Sequence, residues 1–223
     1  MSIEVMMIQE LNSVLLVLYL LFLIWILRTS ALKHNWRQQT YLNLALCAAA
    51  GLLCLWRIRA GIFPGLDLHF LALPLITLMF GWRSAILIAS LPQLILLLLG
   101  VDLWQHAAGL LWLGVALPIM ISYLWLSLCH TLLPKNLWFY VFAGAFANGA
   151  LIYALRTASL GLWYQGWYGW EVIVDNYLIL IPLFLMPEAM LNGFPTVLLV
   201  VYKPQWLATW NEQQYLHSKD KRE

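Results

Sequence analysis

Long apolar segments separated by short polar or charged stretches make up most of this sequence. A helix needs about 20 apolar residues to cross the roughly 30 Å hydrocarbon layer of a bilayer, because each residue adds about 1.5 Å. Seven segments approach that length, at residues 12–27, 41–56, 68–80, 84–101, 107–129, 137–155 and 172–202. The pattern predicts an all-α, polytopic integral membrane protein with about seven transmembrane helices.

The last of these segments is too long for one straight span and contains Pro182, Pro187 and Pro195. Each proline lacks a backbone donor and tends to kink or break a helix. We therefore expect the last helix to be kinked or split near Met186-Pro187. With no internal repeat or linker, residues 1–210 are predicted to form a single transmembrane helical domain, followed by a short polar cytoplasmic tail at 211–223.

The composition supports a membrane protein and excludes two other classes. Hydrophobic residues make up 63% of the chain and charged residues 10%, whereas a soluble domain carries about 25% charged residues. The outward-facing surface must therefore contact lipid, which excludes a free soluble enzyme. The net charge is +2 and the cations lie scattered at segment ends, so no basic face exists for nucleic acid.

Lysine and arginine positions predict the orientation, since short cytoplasmic loops are enriched in both. With the N-terminus outside and the C-terminus cytoplasmic, nine cations fall inside and three fall outside. The inner set is Arg28, Lys33, Arg37, Arg83, Lys135, Lys203, Lys219, Lys221 and Arg222, and the outer set is Arg57, Arg59 and Arg156. Aromatic residues between 163 and 170 are typical of an interfacial belt, with a ligand cage as the alternative.

Ionisable residues at membrane depth are costly unless paired or hydrated, so each one is a functional hypothesis. Glu188 follows Pro187 inside the last apolar segment, and Asn192 lies four residues later on the same helical face. Such a broken helix can expose polar groups to a central cavity, as in transporters. A structural carboxylate that pairs with another helix or stabilises the kink is an equal alternative.

His69 begins the third apolar segment, two residues after Asp67. Imidazole is the commonest metal ligand and often donates its other nitrogen to a carboxylate, although a capping histidine would show the same pattern. Asn148 lies beside small residues midway along the sixth segment, where an amide either bonds across helices or lines a cavity. No nucleotide-binding loop and no hydrolase motif is found, so we predict a non-enzyme whose energised transport would require partner subunits.

Four motifs in order resemble the CbiM-like cobalt/nickel permeases of energy-coupling-factor ABC transporters. Residues 69–81 resemble the segment of that family that begins with a ligand histidine and ends in Phe-Gly. Residues 114–124, 143–148 and 187–193 are similar to its Gly-Pro-x-x-x-Tyr helix, its small-residue helix ending in Asp, and its terminal Glu-Gly segment. The similarity covers roughly residues 60–203.

The resemblance implies a substrate-binding subunit in the bacterial inner membrane that works with ATPase and coupling subunits. His69 would bind nickel or cobalt as the transported substrate, with no separate cofactor, and Asp67 would orient its ring. Asp67, Asn148, Glu188 and Asn192 would line the substrate cavity.

The chain departs from that family at the metal site, because its N-terminus lacks the Met-His of the family's metal clamp. Bulky Leu and Phe also replace the family's Thr/Gly-rich stretch after the histidine. The alternative function is therefore a non-transporting scaffold or assembly factor that retains the fold. An intramembrane enzyme using Glu188 and His69 as acid and base is a third class, which no nucleophile motif supports.

Overall fold

The computed structural model describes residues 3–29, 36, 38–61, 63 and 65–210, with side chains from residue 10 onward. The predicted tail at 211–223 lies outside the described residues. So do His34 and five of the nine predicted inner cations, namely Lys33, Arg37, Lys219, Lys221 and Arg222.

Helices dominate the described chain, which confirms the predicted all-α membrane fold. The elements are α1 (Ile3–Arg28), α2 (Gln39–Arg57), β1 (Arg59–Ala60), β2 (Leu68–His69), α3 (Leu73–Leu98), a 3₁₀ turn (Trp104–His106), α4 (Ala107–Leu111), a π turn (Trp112–Ala116), α5 (Leu117–Leu132), α6 (Leu137–Val141), a π turn (Phe142–Ala147), α7 (Asn148–Tyr164), α8 (Trp170–Asn176), a 3₁₀ turn (Leu178–Leu180), α9 (Ile181–Tyr202) and a 3₁₀ turn (Pro204–Trp206). Six helical runs in this part of the chain are long and apolar enough to cross a membrane: α1, α2, α3, α4–α5, α6–α7 and α8–α9.

The count of six differs from the predicted seven because segments 68–80 and 84–101 are joined in α3. Gly81 interrupts this helix with φ 72° and ψ 162°, a conformation that is open to glycine and closed to most other residues. The hydropathy pattern shows two segments here because Trp82 and Arg83 dilute the apolar run at that break.

The two arms of α3 run in opposite directions. Arg59, which pairs with His69 ahead of the first arm, also contacts Asp102 beyond the second arm, so both outer ends lie at one end of the bundle. The middle of α3 lies at the opposite end, where Tyr41 at the start of α2 donates to Ser84. The described residues contain six long helical runs. Because α3 reverses at Gly81 and contributes two passes, the chain passes along the bundle seven times.

Helix α1 packs through one narrow stripe. From residue 10 onward its buried side chains are Asn12, Tyr19 and Ile26, which recur every seven residues and so share one face. Asn12 bonds the backbone of Trp104 and Ala108. The other faces of α1 expose large apolar side chains, as expected of a helix whose remaining surface meets lipid.

The last run is interrupted, as its prolines predict, but not at Met186-Pro187. The irregular backbone lies at Tyr177 and the turn Leu178–Leu180, just before Pro182 enters the first turn of α9. Proline fits that position because the first turn needs no intrahelical donor. α9 continues as a helix through Pro187.

Small residues bring α7 and α9 close together. A Cβ atom at Gly149 would lie 2.9 Å from the backbone oxygen of Glu188 and 3.0 Å from the Nδ2 atom of Asn192. In a lipid bilayer the hydrophobic effect does little to bring helices together. Close approach at small residues stabilises the helix pair through van der Waals contacts instead. The sequence motifs around Gly149 and Glu188 therefore meet in space.

Candidate functional site

The β1–β2 hairpin carries two of the predicted site residues, Asp67 and His69, at one end of the bundle. Arg59 and His69 are directly paired across the two strands. Gly65 makes the connecting turn with φ 86°, and a Cβ there would lie 3.3 Å from the His106 ring. A glycine at this position lets the hairpin close over the end of the bundle.

The hydrogen bonds of His69 define its protonation. Its Nε2 atom lies 2.9 Å from the Nη2 atom of Arg156, and its Nδ1 atom lies 2.9 Å from the backbone oxygen of Phe70. Because a guanidinium can only donate, Nε2 must accept, and the ring proton therefore lies on Nδ1 and is donated to Phe70. Burial, and then the charge of Arg156, hold the pKa of His69 well below its usual value. His69 is a neutral imidazole whose acceptor lone pair is already used.

Arg156 is a buried partner of His69 that the sequence pattern does not single out, because the pattern predicts only a cation of an outer loop. It lies on α7, is 3% exposed, and packs beside Gly114 in the π turn of the α4–α5 run. In the described residues its Nε and Nη1 atoms have no hydrogen-bond partner. The sequence does contain one indication of its importance. Arg156 directly follows the apolar segment 137–155, and an arginine that continues a membrane helix is costly unless it has a partner.

Two carboxylates beside this pair are held by a second arginine. Nη1 of Arg59 lies 2.5 Å from Asp102 and 3.4 Å from Asp67. Gln93 donates to the other oxygen of Asp102 at 2.7 Å. Asp67 was predicted to orient the His69 ring, but the ring bonds the Phe70 carbonyl instead.

These groups enclose a small polar cavity. Its volume of about 10 Å³ is that of a single water. Its polar lining residues are Arg59, Asp67, His69, Asp102, His106 and Arg156.

Aromatic rings close the rim of the cavity. The His106 ring meets Trp167 and Tyr164 edge to face, with centroids 4.6 Å and 5.0 Å apart. Part of the predicted aromatic belt at 163–170 therefore packs onto a lining residue of the cavity. Edge to face is one of the arrangements that aromatic rings prefer.

Glu188 and Asn192 do not line this cavity; they hold the start of α3. The Glu188 carboxylate, which is 0% exposed, accepts from the backbone N–H groups of Leu71 and Ala72 at 2.9 and 2.8 Å. Asn192 donates to Glu188 and accepts from the N–H of Leu75. A helix start leaves its first N–H groups unsatisfied, and these two side chains of α9 satisfy them from across the bundle.

Asn148 is also separate from the His69 cavity. Its amide nitrogen donates to the Ser122 hydroxyl at 3.0 Å and to the Gly144 carbonyl at 3.1 Å. It therefore links α7 to α5. This contact is the interhelical role that amides often have in membranes.

No cluster of three or more His, Cys, Asp or Glu side chains in the described part of the chain is arranged to hold a metal ion. Cys47, Cys54 and Cys129 are free. The predicted ligand His69 lies near the carboxylates of Asp67 and Asp102. Each of these three possible metal ligands already contacts an arginine: His69 contacts Arg156, and the two aspartates contact Arg59.

Comparison with known proteins identifies the family of this chain. The family model described as cobalt uptake substrate-specific transmembrane region matches residues 9–206. No curated protein and no solved structure matches the chain.

Proposed function

Because the chain belongs to the family of cobalt uptake substrate-specific transmembrane regions, we propose that it is the substrate-binding membrane subunit of an energy-coupling-factor transporter. Its substrate would be a divalent cation, cobalt or nickel. The observation that carries this proposal is the cavity at His69, where imidazole and carboxylate groups meet at one end of an apolar bundle. Imidazole and carboxylate are both ligands for such metals.

The cavity end would face the outside of the bacterial inner membrane, with the N-terminus outside and the C-terminus in the cytoplasm. The cation bias of the sequence supports this orientation. External ATPase and coupling subunits would supply the energy, since the sequence has no nucleotide-binding loop. In this proposal Asn148, Glu188 and Asn192 do not line the cavity. They hold in place the helices that surround it.

Uptake of radioactive cobalt tests this function. The chain would be expressed, with and without ATPase and coupling subunits, in cells that lack their own cobalt and nickel uptake. We expect uptake that needs all subunits and falls by at least roughly 10- to 100-fold in His69→Ala, since loss of a group that only orients a metal ligand already costs that much. Asp102→Asn should also reduce uptake, whereas Asp175→Asn, at an exposed position, should not. Uptake that is equal in all variants would contradict a site at this cavity.

A scaffold or assembly factor that retains the fold is the second candidate. It is favoured by the engagement of His69 with Arg156, which uses the lone pair that a metal would need. Absence of metal uptake with every subunit present, together with a membrane partner recovered by cross-linking at this end of the bundle, would favour the scaffold.

A further inference from the structure

Arg156 is bound far less completely than a buried arginine usually is. It is 3% exposed, donates one hydrogen bond, to His69, and leaves Nε and Nη1 without a partner in the described residues. Buried charges are normally paired, and buried donors are normally satisfied. The guanidinium is therefore enclosed by the protein without being fixed by it.

The nearby acids are already committed to other donors. Asp67 and Asp102 contact Arg59, and Glu188 is held by the backbone of α3 and by Asn192. Within the described chain Arg156 forms no ion pair with any of them. Its one specific partner is the lone pair of His69.

That lone pair is also the atom through which an imidazole binds a metal. Arg156 and a metal ion therefore cannot use His69 at the same time. The charges of the cavity lead to the same conclusion: two aspartates and two arginines cancel, so removal of Arg156 leaves one net negative charge beside His69. A cation would then be electrostatically favoured.

We propose that Arg156 is a tethered cation that occupies the His69 site and competes with the divalent substrate. The inference rests on the proposed function, since it concerns the same cavity, and it assigns Arg156 as the residue that sets metal affinity. When the guanidinium withdraws, His69 Nε2 becomes a ligand, with Asp67, Asp102 and His106 on the surrounding wall. Imidazole nitrogen and carboxylate oxygen are both ligands for Co²⁺ or Ni²⁺, although these side chains form no metal-binding cluster in the described residues while Arg156 is in place.

The competition predicts weak metal binding by the parent chain and tighter binding once the arginine is removed. An apparent dissociation constant equals the intrinsic constant divided by the fraction of open molecules. If Arg156 occupies the site in nine of ten molecules, Arg156→Gln should bind about tenfold more tightly. Arg156→Lys keeps the buried charge on a shorter side chain and should lie between the two.

The test is titration of Co²⁺ into the full chain in lipid nanodiscs, by calorimetry and by quenching of tryptophan fluorescence. The indole of Trp56 lies 5.4 Å from the His69 ring, so quenching that is lost in Trp56→Phe comes from this cavity and not from the other twelve tryptophans. The double variant Arg156→Gln/His69→Ala should lose the gain in affinity. Arg57→Gln removes an exposed arginine at the same end of the bundle and should bind Co²⁺ as the parent does.

Free guanidinium provides a further measurement. It should weaken Co²⁺ binding to Arg156→Gln several-fold more than binding to the parent, since it fits the vacated space. If Arg156→Gln does not fold, the gain must appear in Arg156→Lys for the inference to stand.

Two results overturn the inference. Co²⁺ binding that does not improve in either arginine variant, while the parent still transports cobalt, contradicts the competition and leaves the proposed function in place. Absence of Co²⁺ binding in the parent and in both variants contradicts the competition and the proposed metal substrate together.

Discussion

Replacing Glu188 tests whether its carboxylate joins α9 to the start of α3. Oε2 accepts from the Leu71 N–H, and Oε1 accepts from the Ala72 N–H and from Asn192. Ala72 precedes α3 in a left-handed conformation, with φ 53°, and the N–H groups of Leu71 and Ala72 have no carbonyl of an earlier helical turn to bond. The carboxylate is the acceptor that the described structure provides for both.

The expected loss of stability can be worked from these bonds. An unsatisfied buried donor costs about 1–3 kcal/mol. Glu188→Ala leaves two backbone donors unsatisfied and should lower the free energy of unfolding by roughly 2–6 kcal/mol. Glu188→Gln keeps one oxygen and turns an amide N–H₂ toward one backbone N–H, so its loss should be about 1–3 kcal/mol.

Unfolding in mixed detergent and denaturant measures this order directly. Parent, Glu188→Gln and Glu188→Ala should unfold at successively lower denaturant concentration. Glu171→Gln is the matched control, since Glu171 is exposed in α8, and surface changes usually stay within about 0.5 kcal/mol. If Glu188→Ala unfolds at the same denaturant concentration as the parent, the carboxylate does not hold the start of α3 and the described capping is refuted.

Three further predictions follow from packing, charge and topology. Gly149→Ala should destabilise the chain by about 1–3 kcal/mol, because its Cβ would meet the rigid backbone oxygen of Glu188. Gly51→Ala, with nothing within 4 Å of the new Cβ, should be neutral or stabilising in the same unfolding assay; equal losses would contradict the close contact. Because the folded pKa of His69 is lowered, the unfolded chain binds more protons below about pH 6.5. Stability should therefore rise with pH up to that value and then level, and His69→Gln should flatten the rise; identical pH profiles would show that the imidazole is not held neutral. A reporter fused after Glu223 should score cytoplasmic, and a periplasmic score would reverse the proposed orientation.

Local patterns in the sequence were sufficient for the class of the fold. Apolar runs near the thickness of a bilayer predicted the helices, and the match to the cobalt uptake family over residues 9–206 agrees with that prediction. The interruption of the last run was also predictable from its prolines, although its place was not. Pro187 lies within α9. The side chains of Glu188 and Asn192, which follow it in the same helix, bond backbone N–H groups at the start of α3. We attribute the continuous helix to these tertiary bonds, which outweigh the local tendency of proline to break it.

The sequence by itself therefore determined that this protein lies in a membrane, that it is helical, and that His69 and Glu188 need partners. Those conclusions depend on the transfer free energy of each residue type, which is a local property. The tertiary structure alone decided which partners they have. Arg156 meets His69 from 87 positions away, and Glu188 meets Leu71 from 117 positions away. Such pairings depend on which helices pack together and on their rotation, and no local pattern of hydrophobic and polar residues contains that information.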